Sequence, residues 1–131
     1  MRRIRGRDTK PEMLIRRALF KLGYRYRINY ASLPGKPDIV FLKWRIAVFI
    51  HGCFWHAHQN CIQASKPKTN TTYWGNKLAG NVARDERYWH ELGDAGFRVL
   101  TLWECEIERS PTVQANRVVE AIESAKLVAQ P

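Results

Sequence analysis

The segment IHGCFWHAHQNC, Ile50 to Cys61, holds three of the chain's four histidines and two of its three cysteines. Cys53, His58 and Cys61 are spaced as ligands from one loop, and Cys105, in the triplet WEC, supplies a distant fourth. Three thiolates and one imidazole make a saturated tetrahedron, the pattern of structural zinc with no open position for water. The alternative is three small buried cysteines and a solvated histidine. An odd number of cysteines cannot all pair, and in a reducing compartment such a cluster is read first as metal ligation.

If zinc uses His58, then His51 and His56 remain for acid–base work, because a neutral imidazole accepts protons readily near pH 7. Either could equally be a hydrogen-bonded structural residue. LPGKPDIVFL places Asp38 at the mouth of a short apolar strand, and RIAVFIH runs back to deliver His51 to the same end. A carboxylate and an imidazole at neighbouring strand ends can share a hydrated Mg²⁺ and a water, the elements of metal-assisted phosphodiester hydrolysis. Glu12 adds a carboxylate if its helix crosses those strand ends. Otherwise Glu12 completes a capping box and Asp38 caps the turn.

The elements that must position these groups are legible from periodicity. DTKPEMLIRRALFKLG predicts a helix, with a Thr9/Glu12 capping box, Pro11 early and Gly23 as the stop. Met13, Leu14, Ile15, Ala18, Leu19 and Leu22 supply its inward stripe, and Arg16, Arg17 and Lys21 face water or phosphate. YRYRINY alternates as a half-buried strand, and DIVFL with RIAVFI forms a hairpin at the centre of a sheet. A helix from about Tyr73 to Gly93 turns Trp74, Leu78, Val82, Trp89 and Leu92 toward a core. FRVLTLWE is a buried strand ending near Cys105, and TVQANRVVEAIESAKLVA is a closing amphipathic helix. The order α, β, β, β, α, β, α predicts an α/β fold, a single mixed central sheet flanked by helices, forming one domain over residues 1–131.

Lys plus Arg number 22 against 12 Asp plus Glu, for a formal charge of +10. Such an excess favours a polyanion, nucleic acid first, since each neutralised phosphate releases counterions. The bland alternative is a basic soluble protein. No long apolar run or export signal is present, so a cytoplasmic protein without membrane contact is expected, and the absence of heptads points to a monomer.

Assembled in this order, the chain resembles the very-short-patch-repair (Vsr) mismatch endonucleases, a branch of the PD-(D/E)xK nuclease superfamily with a restriction-endonuclease-like fold. The resemblance runs through MRRIRGRDTKPE, LPGKPDIVF, VFIHGCFWHAH, PKTNTTYWGNKLAGNVARD and GFRVLTLWEC. It implies an enzyme that nicks one strand of double-stranded DNA beside a T:G mismatch. By the same resemblance Asp38 holds catalytic Mg²⁺, His56 is the general base, His51 assists and Glu12 is the associated helix carboxylate. The structural zinc falls on Cys53, His58, Cys61 and Cys105. Phe54 and Trp55 match an aromatic wedge inserted into DNA, an act that costs least at a mismatched pair. Arg2, Arg3, Arg5 and Lys68 would hold phosphates without reading bases.

Three departures from the family pattern stand out. Ile50 occupies a position commonly threonine, so only its backbone carbonyl could contact Mg²⁺. Two residues separate His58 from Cys61 where relatives often have one, and an imidazole stands where the superfamily carries lysine. The implied reading is an Mg²⁺-dependent mismatch endonuclease, to which accessory repair proteins could be recruited. Its rivals are a related nuclease with another DNA substrate and a zinc module that binds nucleic acid without cutting.

Overall fold

The computed structural model describes residues 8–65 and 67–129. Its first helix, α1, spans Lys10–Lys21, with Pro11 in the first turn and the left-handed Gly23 (φ 96°) just beyond its end. The expected capping box does not form. Thr9 is extended and its side chain caps nothing. Asp8, at φ 57°, instead presents its N–H to Glu12 Oε2 at 2.7 Å. Arg16 also departs from expectation: it is only 7% exposed, because Nη2 donates to Glu12 Oε2 at 3.1 Å and Nη1 to Asp8 Oδ1 at 2.7 Å. Ile15 and Leu19 carry the buried stripe, whereas Leu22 lies at the exposed end of the helix.

Four strands follow the order β1-β2-β3-β4: β1 (Arg27–Ile28), β2 (Ile39–Phe41), β3 (Ile46–His51) and β4 (Arg98–Trp103). The β1–β2 and β2–β3 pairs are antiparallel and β3–β4 is parallel, which makes the sheet mixed. The parallel pair requires a long crossover, supplied by helix α2 (Thr71–Asp94). After β4 the chain turns directly into a short helix, α3 (Glu104–Arg109), and then α4 (Pro111–Ala129). The YRYRINY strand is thus reduced to two residues, and the predicted FRVLTLWE strand stops at Trp103, putting Cys105 in the first turn of α3.

Alternation along β3 decides where the core sits. Ile46, Val48 and Ile50 join Ile15, Leu19, Leu102, Ile107, Val118 and Ile122 beneath α1, α3 and α4. Ala47 and Phe49 point to the other face, where Leu92 of α2 covers them with Trp89, Phe97 and Val99. The hairpin is therefore buried on both faces, as its unbroken apolar run predicts. Of the residues expected to turn α2 inward, Leu78 and Leu92 are fully buried and Trp74, Val82 and Trp89 half-buried. The loop before β2 is locked to α2 at Gly35, which sits at φ 75° against the Tyr88 ring. A methyl group there would lie 2.9 Å from that ring. Among the described residues no helix is long and apolar enough to cross a membrane.

Candidate active site

The β2–β3 hairpin brings its chemistry to one end. The Asp38 N–H donates to the Val48 carbonyl at 3.0 Å, and Asp38 Oδ2 accepts the Ile50 N–H at 2.6 Å, so the side chain adds a rung beyond the start of β2. The Ile50 side chain belongs to the core, leaving only its main chain for the site. Burial pushes the Asp38 carboxyl up to about 7 and the nearby charge of Glu12 adds to the rise; the Ile50 N–H, Arg16 and His56 oppose it. Asp38 and His56 thus lie on the same side of the molecule, within electrostatic reach. Glu12 is 4% exposed and braced by Arg16. Two crowded carboxylates facing one guanidinium leave an excess of negative charge, an environment that suits a divalent cation.

His51 closes β3 on the α2 side and is 3% exposed. Its ring stacks on His56 at 3.6 Å between centroids and 7° between planes. Burial and the neighbouring His56 hold its pKa down to about 3, against the opposing pull of Asp85, so His51 is neutral at working pH. Its Nδ1 is buried without a hydrogen-bond partner. His56 instead has a strong partner: its Nδ1 lies 2.6 Å from Asp85 Oδ2. A carboxylate on Nδ1 fixes the tautomer and leaves Nε2 as the proton acceptor, the arrangement that makes a histidine a general base.

His51, His56 and Asp85 also bring three ligand atoms within 4.8 Å of one another. The stacking argues against a metal among them. Imidazole lone pairs lie in the ring planes, and planes held parallel at 3.6 Å do not converge on one point.

Sequence reasoning missed Asp85. On α2 it follows Leu78 and Asn81 and precedes Trp89 and Leu92 at helical spacing, so an acidic residue sits in the stripe that faces the fold. That polar interruption was the available signal. Asn81 has the same placement and donates to the Trp55 carbonyl at 3.0 Å, tying the loop to the helix.

The other four ligand candidates do converge. Cys53, His58, Cys61 and Cys105 place one sulfur or nitrogen each within 4.8 Å of one another, a donor set that suits zinc. His58 Nδ1 faces the sulfurs, 3.5 Å from Cys105 Sγ. Cys53 is fully buried, and burial first of all pushes its thiol up to about 12; burial also raises Cys105. A buried thiol held as high as that of Cys53 becomes a thiolate only when a cation compensates it. The main chain supports the cluster through the Cys53 N–H, which donates to Glu104 Oε1 at 3.2 Å.

Phe54 and Trp55, between these ligands, are half-buried and meet edge to face at 5.0 Å. Trp74 of α2 stands behind both, 5.4 Å from Phe54 and 6.0 Å from Trp55. The tryptophan expected in the core thus backs the aromatic loop. Lys68 is exposed on the loop before α2, and Arg2, Arg3 and Arg5 lie outside the described residues.

Known proteins are similar to this chain in sequence. The family described as DNA mismatch endonuclease Vsr matches residues 1–63. The chain is 43% identical over 127 residues to the type II nicking enzyme V.NmeAIP of Neisseria meningitidis, spanning 95% of this chain and 90% of that one. It is 41% identical over 116 residues to the type II nicking enzyme V.XorIIP of Xanthomonas oryzae, spanning 88% and 85%. It is 39% identical over 123 residues to the DNA mismatch endonuclease Vsr of Escherichia coli, spanning 94% and 78%. Similarity that extends over most of both chains, joined to a mixed sheet carrying a Cys/His cluster, makes this chain a member of the Vsr family and an endodeoxyribonuclease.

Proposed function

We propose that this endonuclease nicks one strand of duplex DNA next to a T:G mismatch, as a monomeric single domain, with Mg²⁺ as catalytic cofactor and zinc as structural cofactor. The observation that carries the reading is the His56–Asp85 contact of 2.6 Å beside the buried Asp38. A base with its orienting carboxylate, next to an uncompensated acidic site, is the equipment of metal-assisted phosphodiester hydrolysis.

Asp38 would hold Mg²⁺, with the Ile50 carbonyl as a second oxygen and Glu12 bracing the cation's surroundings. The ion, when bound, supplies Lewis-acid stabilisation of the charge that develops on the phosphate. His56 Nε2 takes the proton of the attacking water while Asp85 stabilises the imidazolium through Nδ1. His51 stays neutral, backs the His56 ring face to face and hydrogen-bonds to the developing charge. Cys53, His58, Cys61 and Cys105 would hold the zinc that anchors the loop. Phe54 and Trp55, supported by Trp74, form the wedge that tests whether a base step opens cheaply, as it does at a mismatch. Arg2, Arg3, Arg5 and Lys68 hold phosphates.

The Escherichia coli relative is named for mismatches, which supports the substrate. The other two are named only as nicking enzymes, which favours a second reading, a nick in DNA without a mismatch. The test is cleavage of matched sets of T:G, T:A and single-stranded oligonucleotides, with Mg²⁺ present and omitted. Nicking of the T:G duplex alone, and only with Mg²⁺, is expected. Equal cutting of T:A duplexes would establish the second reading, and binding without cutting would establish a non-catalytic module.

Asp85→Asn is expected to keep the fold and DNA affinity and to lower kcat by roughly 10²–10⁴-fold, because the amide no longer holds the tautomer or stabilises the cation. Steady-state kinetics on the T:G duplex measures this. An unchanged kcat would remove Asp85 from the mechanism.

A further inference from the structure

Trp103 ends β4 directly opposite His51 in the parallel ladder, and its indole touches both halves of the site. It stacks on the His58 ring at 4.0 Å between centroids and 9° between planes. The same indole meets His51 at 5.2 Å and 79° and His56 at 6.5 Å and 74°. One rigid plane therefore lies parallel to the imidazole of the Cys/His cluster and nearly perpendicular to the stacked imidazole pair.

We propose that Trp103 is a positioning residue for DNA cleavage, holding the ring plane of His58 in the cluster and, through the same indole, the location of the His51–His56 stack. The inference rests on the nuclease reading above and assigns a part to a residue that neither binds metal nor carries a proton.

The loop between Cys53 and Cys61 has no regular secondary structure, and Ala57 and Asn60 adopt positive φ of 51° and 56°. Turn hydrogen bonds from the His56 and His58 N–H groups to the Gly52 and Cys53 carbonyls shape its backbone. These bonds fix where the Cα atoms lie and leave both imidazoles free about χ1 and χ2. Asp85 restrains one atom of His56. Rotation of the His58 plane is opposed by the flat face of Trp103, and displacement of the imidazole pair toward β4 by its edge contacts.

The segment that carries Trp103 is itself pinned to the loop. Glu104 Oε1 accepts the Cys53 N–H and Cys105 Sγ lies 3.5 Å from His58 Nδ1, so three consecutive residues grip the loop through a ring, a carboxylate and a thiol. A ligand lone pair lies in the imidazole plane, so a tilt of that plane weakens the cluster. A general base displaced by about 1 Å loses on the order of 10²-fold in rate. An aliphatic side chain at 103 fills much of the space without defining a plane, whereas phenylalanine preserves a plane of smaller area.

The test uses the full chain with Trp103→Leu and Trp103→Phe. Nicking of the T:G duplex gives kcat and KM separately, and transfer of Zn²⁺ to a chromogenic chelator gives the release rate. W103L is expected to lose about 10–100-fold in kcat with KM within about threefold of wild type, and to release Zn²⁺ several-fold faster. W103F is expected to recover most of both. A wild-type kcat in W103L, a loss confined to KM, or W103F as impaired as W103L would each overturn the assignment. If W103L melts below the assay temperature, Trp103→Met replaces it with the same outcomes. A wild-type chain that nicks no duplex overturns the nuclease reading itself, while wild-type Zn²⁺ release from W103L overturns the Trp103 assignment whether or not DNA is cut.

Discussion

Replacing Asp38 with asparagine is expected to abolish nicking and to stabilise the Mg²⁺-free fold above pH 7. The activity loss is on the order of 10³-fold or more, the several kcal/mol of charge stabilisation that a bound cation contributes. The stability gain follows from burial. In the unfolded chain Asp38 releases its proton near 3.8, and in the fold only near 7. Between these values Asp38 holds more proton in the native state than in the unfolded one, so its contribution to stability falls as pH rises through the window, while His51, held down to about 3, contributes in the opposite sense below its ordinary value. The fall amounts to roughly 4 kcal/mol for a shift of that size. Asparagine is isosteric and never ionises, so D38N avoids the loss. Thermal melts without added Mg²⁺ should show D38N above wild type at pH 8 and the gap closing toward pH 4. Added Mg²⁺ should narrow it at pH 8 by binding only the wild type. A gap between D38N and wild type that does not widen from pH 4 to pH 8 would contradict the buried acid, and a wild-type melting temperature indifferent to Mg²⁺ would contradict the cation site.

Removal of one of the thiols proposed to hold zinc is expected to have the largest effect on stability. Structural zinc contributes on the order of 10 kcal/mol or more to the folding of small domains that depend on it. Cys105 is the proposed ligand that would join the loop to α3, so Cys105→Ser would leave the other three candidates on a segment not tied to the sheet by metal. We expect weakened zinc retention, a melting temperature lowered by more than about 10 °C, and nicking lost in parallel, since a few kcal/mol shifts a domain of this size that far. Metal analysis of the purified protein with calorimetry decides the matter. One tightly held zinc in C105S, melting as wild type does, would show that the cluster does not need the thiolate.

What could be read in advance follows from how local each signal was. The cysteines and His58 announced themselves because thiol and imidazole donors are rare enough for their clustering to mean something, even with Cys105 far along the chain. Asp38 and His51 were readable because a hairpin with two apolar strands brings its ends together whatever surrounds it. Asp85 was not, since it lies in the charged run Arg84–Arg87 and gains its meaning only when α2 lays that face against the loop. The type of Arg16 predicts a solvent-facing side chain, and for Glu12 the sequence offers a site carboxylate or a cap; the buried ion pair between them overrides the first rule and takes the place of the cap. Helix α3 is a single short turn-and-a-half after a strand, too brief for periodicity to separate it from that strand, and the buried Ile107 that anchors it fits either pattern.

The parallel pairing of β3 with β4 also sets an order of assembly. The hairpin carrying Asp38 and His51 closes between neighbours in sequence, whereas β4 docks only after the long excursion through α2. That excursion brings Asp85, and the strand it delivers brings Trp103 and then Cys105. During synthesis the acidic and imidazole groups therefore emerge well before the carboxylate, indole and thiol proposed to orient them. A nascent chain broken off before α2 would carry Asp38 and the histidines without the Asp85 and Trp103 contacts on His56, so the architecture puts the last of the alignment at the end of the chain's assembly.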